Sequence, residues 1–241
     1  MINIQKRKFL IIFLIIFFFC VFILSTIKIL NEYCEYQEIN DDIEVLKRDA
    51  DVEDEKKPTI NWENLKKKNA DIVGWIKIDG TKIDYPILKD ENSFYLNHSY
   101  NKTYNANGSI FILDNNLCES EETIIYGHNR LNGIMFSELS KYLDKEFFEK
   151  HLDFFIYTSE KTYKAKVFSA YSINVFSEKE NLNLLDFNAQ IDYYKSKSKF
   201  KVETENVEKI VKLSTCSYLN NRKRVTEERY YIIASLEEVN D

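Results

Sequence analysis

The chain has 241 residues, of which 44% are hydrophobic and 30% charged, a length and composition that suit one or two globular domains. A net charge of -6 argues against a nucleic-acid partner, which needs a basic face, and the short runs Lys66–Lys68 and Arg222–Arg224 read as solvated surface. Four cysteines with no CxxC pair leave metal and thioredoxin-type chemistry weakly supported, and their spacing does not suggest a disulfide framework.

Residues 1–8 form a short basic N-terminus ending in Lys6, Arg7 and Lys8. Residues 9–30 read as a transmembrane signal anchor: Phe9 to Ile27 is nearly unbroken Leu, Ile and Phe, and roughly 20 such residues cross a hydrocarbon core as a helix. The positive-inside rule then keeps the N-terminus cytoplasmic and exports the rest. A cleaved signal peptide is the competing reading, but Lys28 to Tyr33 offers no small-residue cleavage site, so an uncleaved signal anchor is expected. Residues 31–58 read as a stalk or N-terminal helical segment, with a weak stripe through Ile39, Ile43, Val45 and Leu46 and an end before Pro58. Residues 59–241 are expected to form the folded, functional domain.

In that domain a short helix over Asn61–Asn69 should bury Trp62 and Leu65. Asp79-Gly80, between Trp75–Ile78 and Lys82–Tyr85, predicts a hairpin with a two-residue type I′ turn. Further strands are expected at Ser109–Leu113, Thr123–Gly127, Phe154–Tyr157, Thr162–Ile173, Lys209–Cys216 and Arg229–Leu236. Phe136 to Phe148 supports one or two helical turns, and Leu184 to Phe200 a longer helix between two strands. The sum is mainly β: a mixed antiparallel, closed barrel with helices at its N-terminus and in one late connection.

Three groups with complementary chemistry fall at strand tips. Cys216 ends the run Lys209–Cys216, His128 follows Ile124-Ile125-Tyr126-Gly127, and Arg229 opens Tyr230-Tyr231-Ile232-Ile233. A thiolate is the nucleophilic form of cysteine, and a nearby imidazolium or guanidinium favours it. The bland readings stand beside this one: a cysteine is commonly an inert core residue, and a lone histidine is usually structural or exposed, with the strand-end context favouring His128 over His98 in a loop and His151 near a helix end. Arg222 and Arg224 also follow Cys216, in a polar loop. Cys118 reads as a loop thiol, and a Cys118–Cys216 disulfide would silence the chemistry. Glu119-Ser120-Glu121-Glu122 could attract calcium but reads as a solvated loop.

Leu213-Ser214-Thr215-Cys216 followed by an Arg-initiated strand resembles the signature of the sortases, membrane-anchored cysteine transpeptidases of Gram-positive bacteria. Ile125-Tyr126-Gly127-His128-Asn129 resembles their histidine segment. Gly74-Trp75-Ile76, Asp84-Tyr85-Pro86-Ile87, Phe94-Tyr95-Leu96-Asn97, Gly108-Ser109-Ile110-Phe111 and Met135-Phe136 are most similar to class B sortases. The resemblance implies an eight-stranded β-barrel with N-terminal helices and a helix between strands six and seven. It implies Cys216 as nucleophile, His128 as acid/base and Arg229 as the anion-stabilising arginine, with Arg224 as runner-up because the Cys-to-Arg loop is long. Asn92 and Leu96 match substrate-groove positions, and Ser214 and Thr215 are counted with them as substrate-binding. The implied partners are exported proteins with a C-terminal sorting signal, a peptidoglycan amine as acceptor, and the membrane. No cofactor or metal is required. A cysteine protease with water as acceptor, a pilin-polymerising enzyme and a non-catalytic binding module on a stalk are the alternatives.

Overall fold

The computed structural model describes residues 4–50, 60–114, 116–130, 133–219 and 226–239. The chain divides into two units, one ending at Arg48 and the other beginning at Asp49. In the first, helix α1 (Ile4–Asp49) runs without a break through both the apolar stretch and the acidic stretch that follows. Neither glycine nor proline occurs before Pro58, so nothing in the sequence interrupts the backbone ladder. The apolar side chains from Phe9 to Leu30 are exposed along it, and the helix is long and apolar enough to cross a membrane. Lys47 and Arg48 occupy its last turn, where positive charge suits the helix dipole.

The second unit opens with α2 (Trp62–Lys68), capped by Asn61, whose side chain accepts from the Asn64 amide at 3.1 Å. Leu65 is buried as expected, whereas Trp62 stays partly exposed. Eight strands then close into one barrel in the order β1-β2-β3-β4-β7-β8-β6-β5. They are β1 (Ile72–Lys77), β2 (Asp84–Lys89), β3 (Ile110–Ile112), β4 (Glu122–Tyr126), β5 (Asp153–Tyr157), β6 (Thr162–Asn174), β7 (Ile210–Cys216) and β8 (Glu228–Val239). All the expected strand segments appear, within a residue or two at most ends. Two neighbouring pairs, β2/β3 and β4/β7, are parallel, and the others are antiparallel.

The β1–β2 hairpin forms where Asp79-Gly80 placed it, but its turn differs from the expected one. Ile78 N–H donates to Ile83 O at 2.9 Å, leaving four residues in the loop, and Thr81 N–H donates to Ile78 O at 3.2 Å. Gly80 has φ +74° while Asp79 is not among the positive-φ residues, so only one central position is left-handed. A type I′ turn needs both. The Thr81 hydroxyl completes the loop by accepting from Ile83 N–H at 3.0 Å.

Between β4 and β5 lie a 3₁₀ segment over Ser137–Leu143 and α3 (Lys145–Lys150), matching the helical turns expected there. The β6–β7 connection holds two helices, not one, α4 (Val175–Leu182) and α5 (Phe187–Lys197). Each starts at its own cap: Asn174 Oδ1 accepts from Phe176 N–H, and Asp186 Oδ1 accepts from Ala189 N–H at 2.9 Å. Asp186 therefore starts α5 two residues after Leu184, which is left 94% exposed in the preceding turn. Ile191 and Tyr194 of α5 pack with Phe168, Tyr171, Ile210, Tyr231 and Ile233, covering one face of β6, β7 and β8.

Candidate active site

Strand pairing brings two of the three predicted groups together, and hydrogen bonds tie the neighbours of the third to the same strand. Cys216 is the last residue of β7 and lies directly opposite Arg229 of β8 in an antiparallel register, which places both side chains on one face. On its other side β7 runs parallel to β4, with Tyr126 paired to Ser214. The paired register ends at Tyr126, two residues before His128. One backbone and two side-chain hydrogen bonds join the segment around His128 to the end of β7. Gly127 N–H donates to Ser214 O at 3.2 Å, and the Thr215 hydroxyl donates to Gly127 O at 2.7 Å. The Asn129 amide donates to Cys216 O at 2.8 Å. Residues before and after His128 are thus fastened to residues at and beside Cys216.

The imidazole of His128 is half-buried, and its Nε2 lies 2.7 Å from the carbonyl oxygen of Leu96. Burial lowers its pKa, and the guanidinium of Arg130 lowers it further, while the hydrogen bond to Leu96 works the other way. Arg229 is half-buried, and its Nη1 donates to Thr226 O at 2.6 Å and Glu228 O at 3.0 Å, which fixes its plane. The phenol of Tyr218 stands in the same neighbourhood. Burial raises its pKa, the Cys216 sulfur adds to that, and Arg130 and Arg229 oppose it. Arg130 Nε is buried without a hydrogen-bond partner.

Two glycines make this close approach possible. A Cβ on Gly127 would meet Ile110 Cδ1 at 2.4 Å and Phe136 at 2.8 Å. Gly108 has φ +59°, and a Cβ there would meet Leu96 O at 2.4 Å, the same oxygen that His128 contacts.

The other expected residues fall in different places. Leu96 ends a 3₁₀ turn over Phe94–Leu96 with its side chain 45% exposed and its carbonyl against His128. Asn92 is exposed in the loop before that turn, its backbone N–H held by Asp90 Oδ1 at 3.0 Å. Ser214 and Thr215 are buried, and the Thr215 hydroxyl is engaged by Gly127, so the pair ties strands together. Arg222 and Arg224 lie outside the described residues. Cys118 and Cys216 are both free thiols, so the disulfide alternative does not occur. Cys118 lies in a turn, as the loop reading expects, but is fully buried there, and burial pushes its pKa up to about 12. No group of three or more metal-type ligands occurs among the described residues, Glu119 to Glu122 included. Sequence reasoning missed Asn129, Arg130 and Tyr218, although Asn129 and Arg130 directly follow His128 in the chain.

The sequence and the barrel match known proteins. Residues 76–237 match the sortase domain family, so the chain belongs to the sortases. Within that family the similarity is to class B: sortase B of Staphylococcus aureus is 36% identical over 177 residues, covering 68% of this chain and 71% of that protein. Sortase B of Listeria monocytogenes is 37% identical over 161 residues, which span 64% of this chain and 65% of the Listeria protein, just under two thirds of its length. Among solved structures, a Staphylococcus aureus sortase B–substrate complex superposes with a TM-score of 0.71 at 31% identity, covering 86% of this chain and all 100% of that one. Clostridium perfringens sortase B gives a TM-score of 0.64 at 29% identity, covering 73% and 98% of the two chains.

Proposed function

We propose that this protein is a membrane-anchored cysteine transpeptidase acting on exported proteins that carry an Asn-Pro-x-Thr-like C-terminal sorting signal. The observation that supports this most is the pairing of Cys216 with Arg229, together with the hydrogen bonds joining Gly127 and Asn129, on either side of His128, to Ser214, Thr215 and Cys216. In the proposed reaction the Cys216 thiolate attacks the threonine carbonyl carbon, and the carbonyl electron pair moves onto oxygen. Arg229 offers N–H donors to that oxyanion from a plane already fixed by Thr226 and Glu228. His128, as imidazolium, protonates the departing amine as the C–N bond breaks and a thioester forms. A peptidoglycan amine then attacks the thioester, His128 takes its proton, and the thiolate leaves. Leu96 and Asn92, on the loop that reaches His128, are proposed to line the peptide groove. Ser214 and Thr215 contribute by holding the strand ends in register.

Helix α1 is proposed to anchor the enzyme with its N-terminus in the cytoplasm and the barrel outside, where substrate and wall precursor meet. The apolar, exposed stretch preceded by Lys6, Arg7 and Lys8 supports that topology. The test is full-length protein in detergent with a fluorogenic Asn-Pro-x-Thr peptide. The parent should cleave it, Cys216→Ala should not, and an added amine should appear in the product mass. Retained turnover in Cys216→Ala removes the nucleophile. Cleavage that never incorporates amine makes the protein a peptidase with water as acceptor.

A further inference from the structure

Helix α4 starts at the active-site end of the barrel. Asn174, its cap, pairs with Glu228, the neighbour of Arg229, and Val175 N–H donates to Glu227 O at 2.9 Å. Beside it the Ser172 hydroxyl donates to Ser217 Oγ at 2.7 Å, one residue beyond Cys216. The apolar hold on α4 is partial, with Leu182 in its last turn packed half-buried against the cluster under α5 and Val175 half-buried in its first turn. Phe176 is 59% exposed, and the one fully buried residue of the helix is a carboxylate, Glu178.

Glu178 is bound from three elements. Its Oε1 accepts from Lys212 Nζ of β7 at 2.9 Å and from the Tyr171 hydroxyl of β6 at 2.6 Å, and its Oε2 accepts from the Tyr193 hydroxyl of α5 at 3.1 Å. Both side chains of the ion pair are almost fully buried, at 5% exposure for Lys212 and 3% for Glu178. Lys212 Nζ also lies 4.1 Å from the centre of the Tyr231 ring and 4.9 Å from that of Tyr194. Lys212 and Cys216 are four residues apart on one strand, so they share a face of β7. Tyr231 and Arg229 share the matching face of β8 in the same way.

A buried ion pair adds little net stability over a well-packed apolar pair of the same volume, because desolvation opposes the attraction. What it supplies is direction: a carboxylate with three donors has one position that satisfies them, whereas an apolar contact slides. We propose that Glu178 and Lys212 are positioning residues that fix α4 in one register over β7, so that its first turn forms a rigid wall of the groove leading to Cys216. Resting on the transpeptidase reading, this inference makes the pair a determinant of how tightly peptide is held and not of how fast bound peptide reacts.

The experiment uses full-length protein in detergent and the variants Glu178→Gln, Lys212→Met and Glu178→Gln/Lys212→Met. Three quantities are read: amide exchange over residues 175–183, steady-state constants with the Asn-Pro-x-Thr peptide, and alkylation of Cys216 by iodoacetamide. Each single variant should speed exchange in α4 at least tenfold while β7 and β8 stay protected. KM should rise about tenfold, with kcat and alkylation changed less than about twofold. The double variant carries no unpaired buried charge and should regain the parent's Tm while keeping the raised KM. It also carries the test if either single variant fails to fold. Unchanged α4 exchange, a double variant with the parent's KM, or a fall in kcat at constant KM would each overturn the assignment. If the parent itself does not cleave the peptide, the transpeptidase reading fails, and α4 exchange alone decides whether the pair fixes the helix.

Discussion

His128 carries its neutral-state hydrogen on Nε2, because the Leu96 carbonyl beside it can only accept. Burial and Arg130 disfavour a second proton, so its folded pKa lies below the usual 6.5. An NMR titration of the ring should show this directly, and Arg130→Gln should raise the value. The sign for stability follows: below about pH 6.5 the unfolded chain takes up this proton more readily than the folded one. The His128 contribution therefore turns destabilising as pH falls through that value, and His128→Gln should be less acid-sensitive in Tm than the parent. Arg229→Ala should cost far more activity than Arg224→Ala, and Arg229→Lys should not restore it, because an ammonium cannot keep the fixed plane that Thr226 and Glu228 define. Cys118, with its thiol pushed up to about 12, should resist iodoacetamide in the folded protein under conditions that label Cys216.

Among the elements, the parallel β4–β7 pair carries the most consequence. Thr215→Val removes the hydroxyl that joins β7 to Gly127, a loss of about 1 kcal/mol of stability by the usual worth of one hydrogen bond. Its effect on turnover should exceed that, since it loosens the step between Cys216 and His128. Gly108→Ala should be more damaging, with Cβ driven against the Leu96 oxygen and a left-handed φ to hold. A thermal melt and the peptide assay on both variants check the order. The strand segments and the Asp79-Gly80 hairpin were readable because alternation and turn chemistry are local. The parallel pairs were not, since nothing in Glu122–Tyr126 states that its neighbour is a strand some ninety residues later. Leu184 and Leu185 looked like a helix start, yet the carboxylate of Asp186 decides where α5 begins. Lys212 sits inside an apolar run, and a cation in a buried strand needs a partner, but nothing local in the sequence names Glu178 as that partner.

For the whole molecule, the division at Arg48 separates a long helix from a barrel that contains every proposed catalytic group. Removing residues 1–30 should therefore leave peptide turnover intact while abolishing sedimentation with membranes, measured on the truncated and full chains side by side. Barrel closure has a temporal side as well. β7 and β8 are the last two strands to be synthesised, and as an adjacent pair they fill the place between β4 and β6, both made earlier. A nascent chain can complete the β1–β2 hairpin and most of the β4 region while still carrying no sulfur near its imidazole. Reactivity arrives only with the closing step, so an unfinished or stalled polypeptide is chemically silent toward the proteins around it.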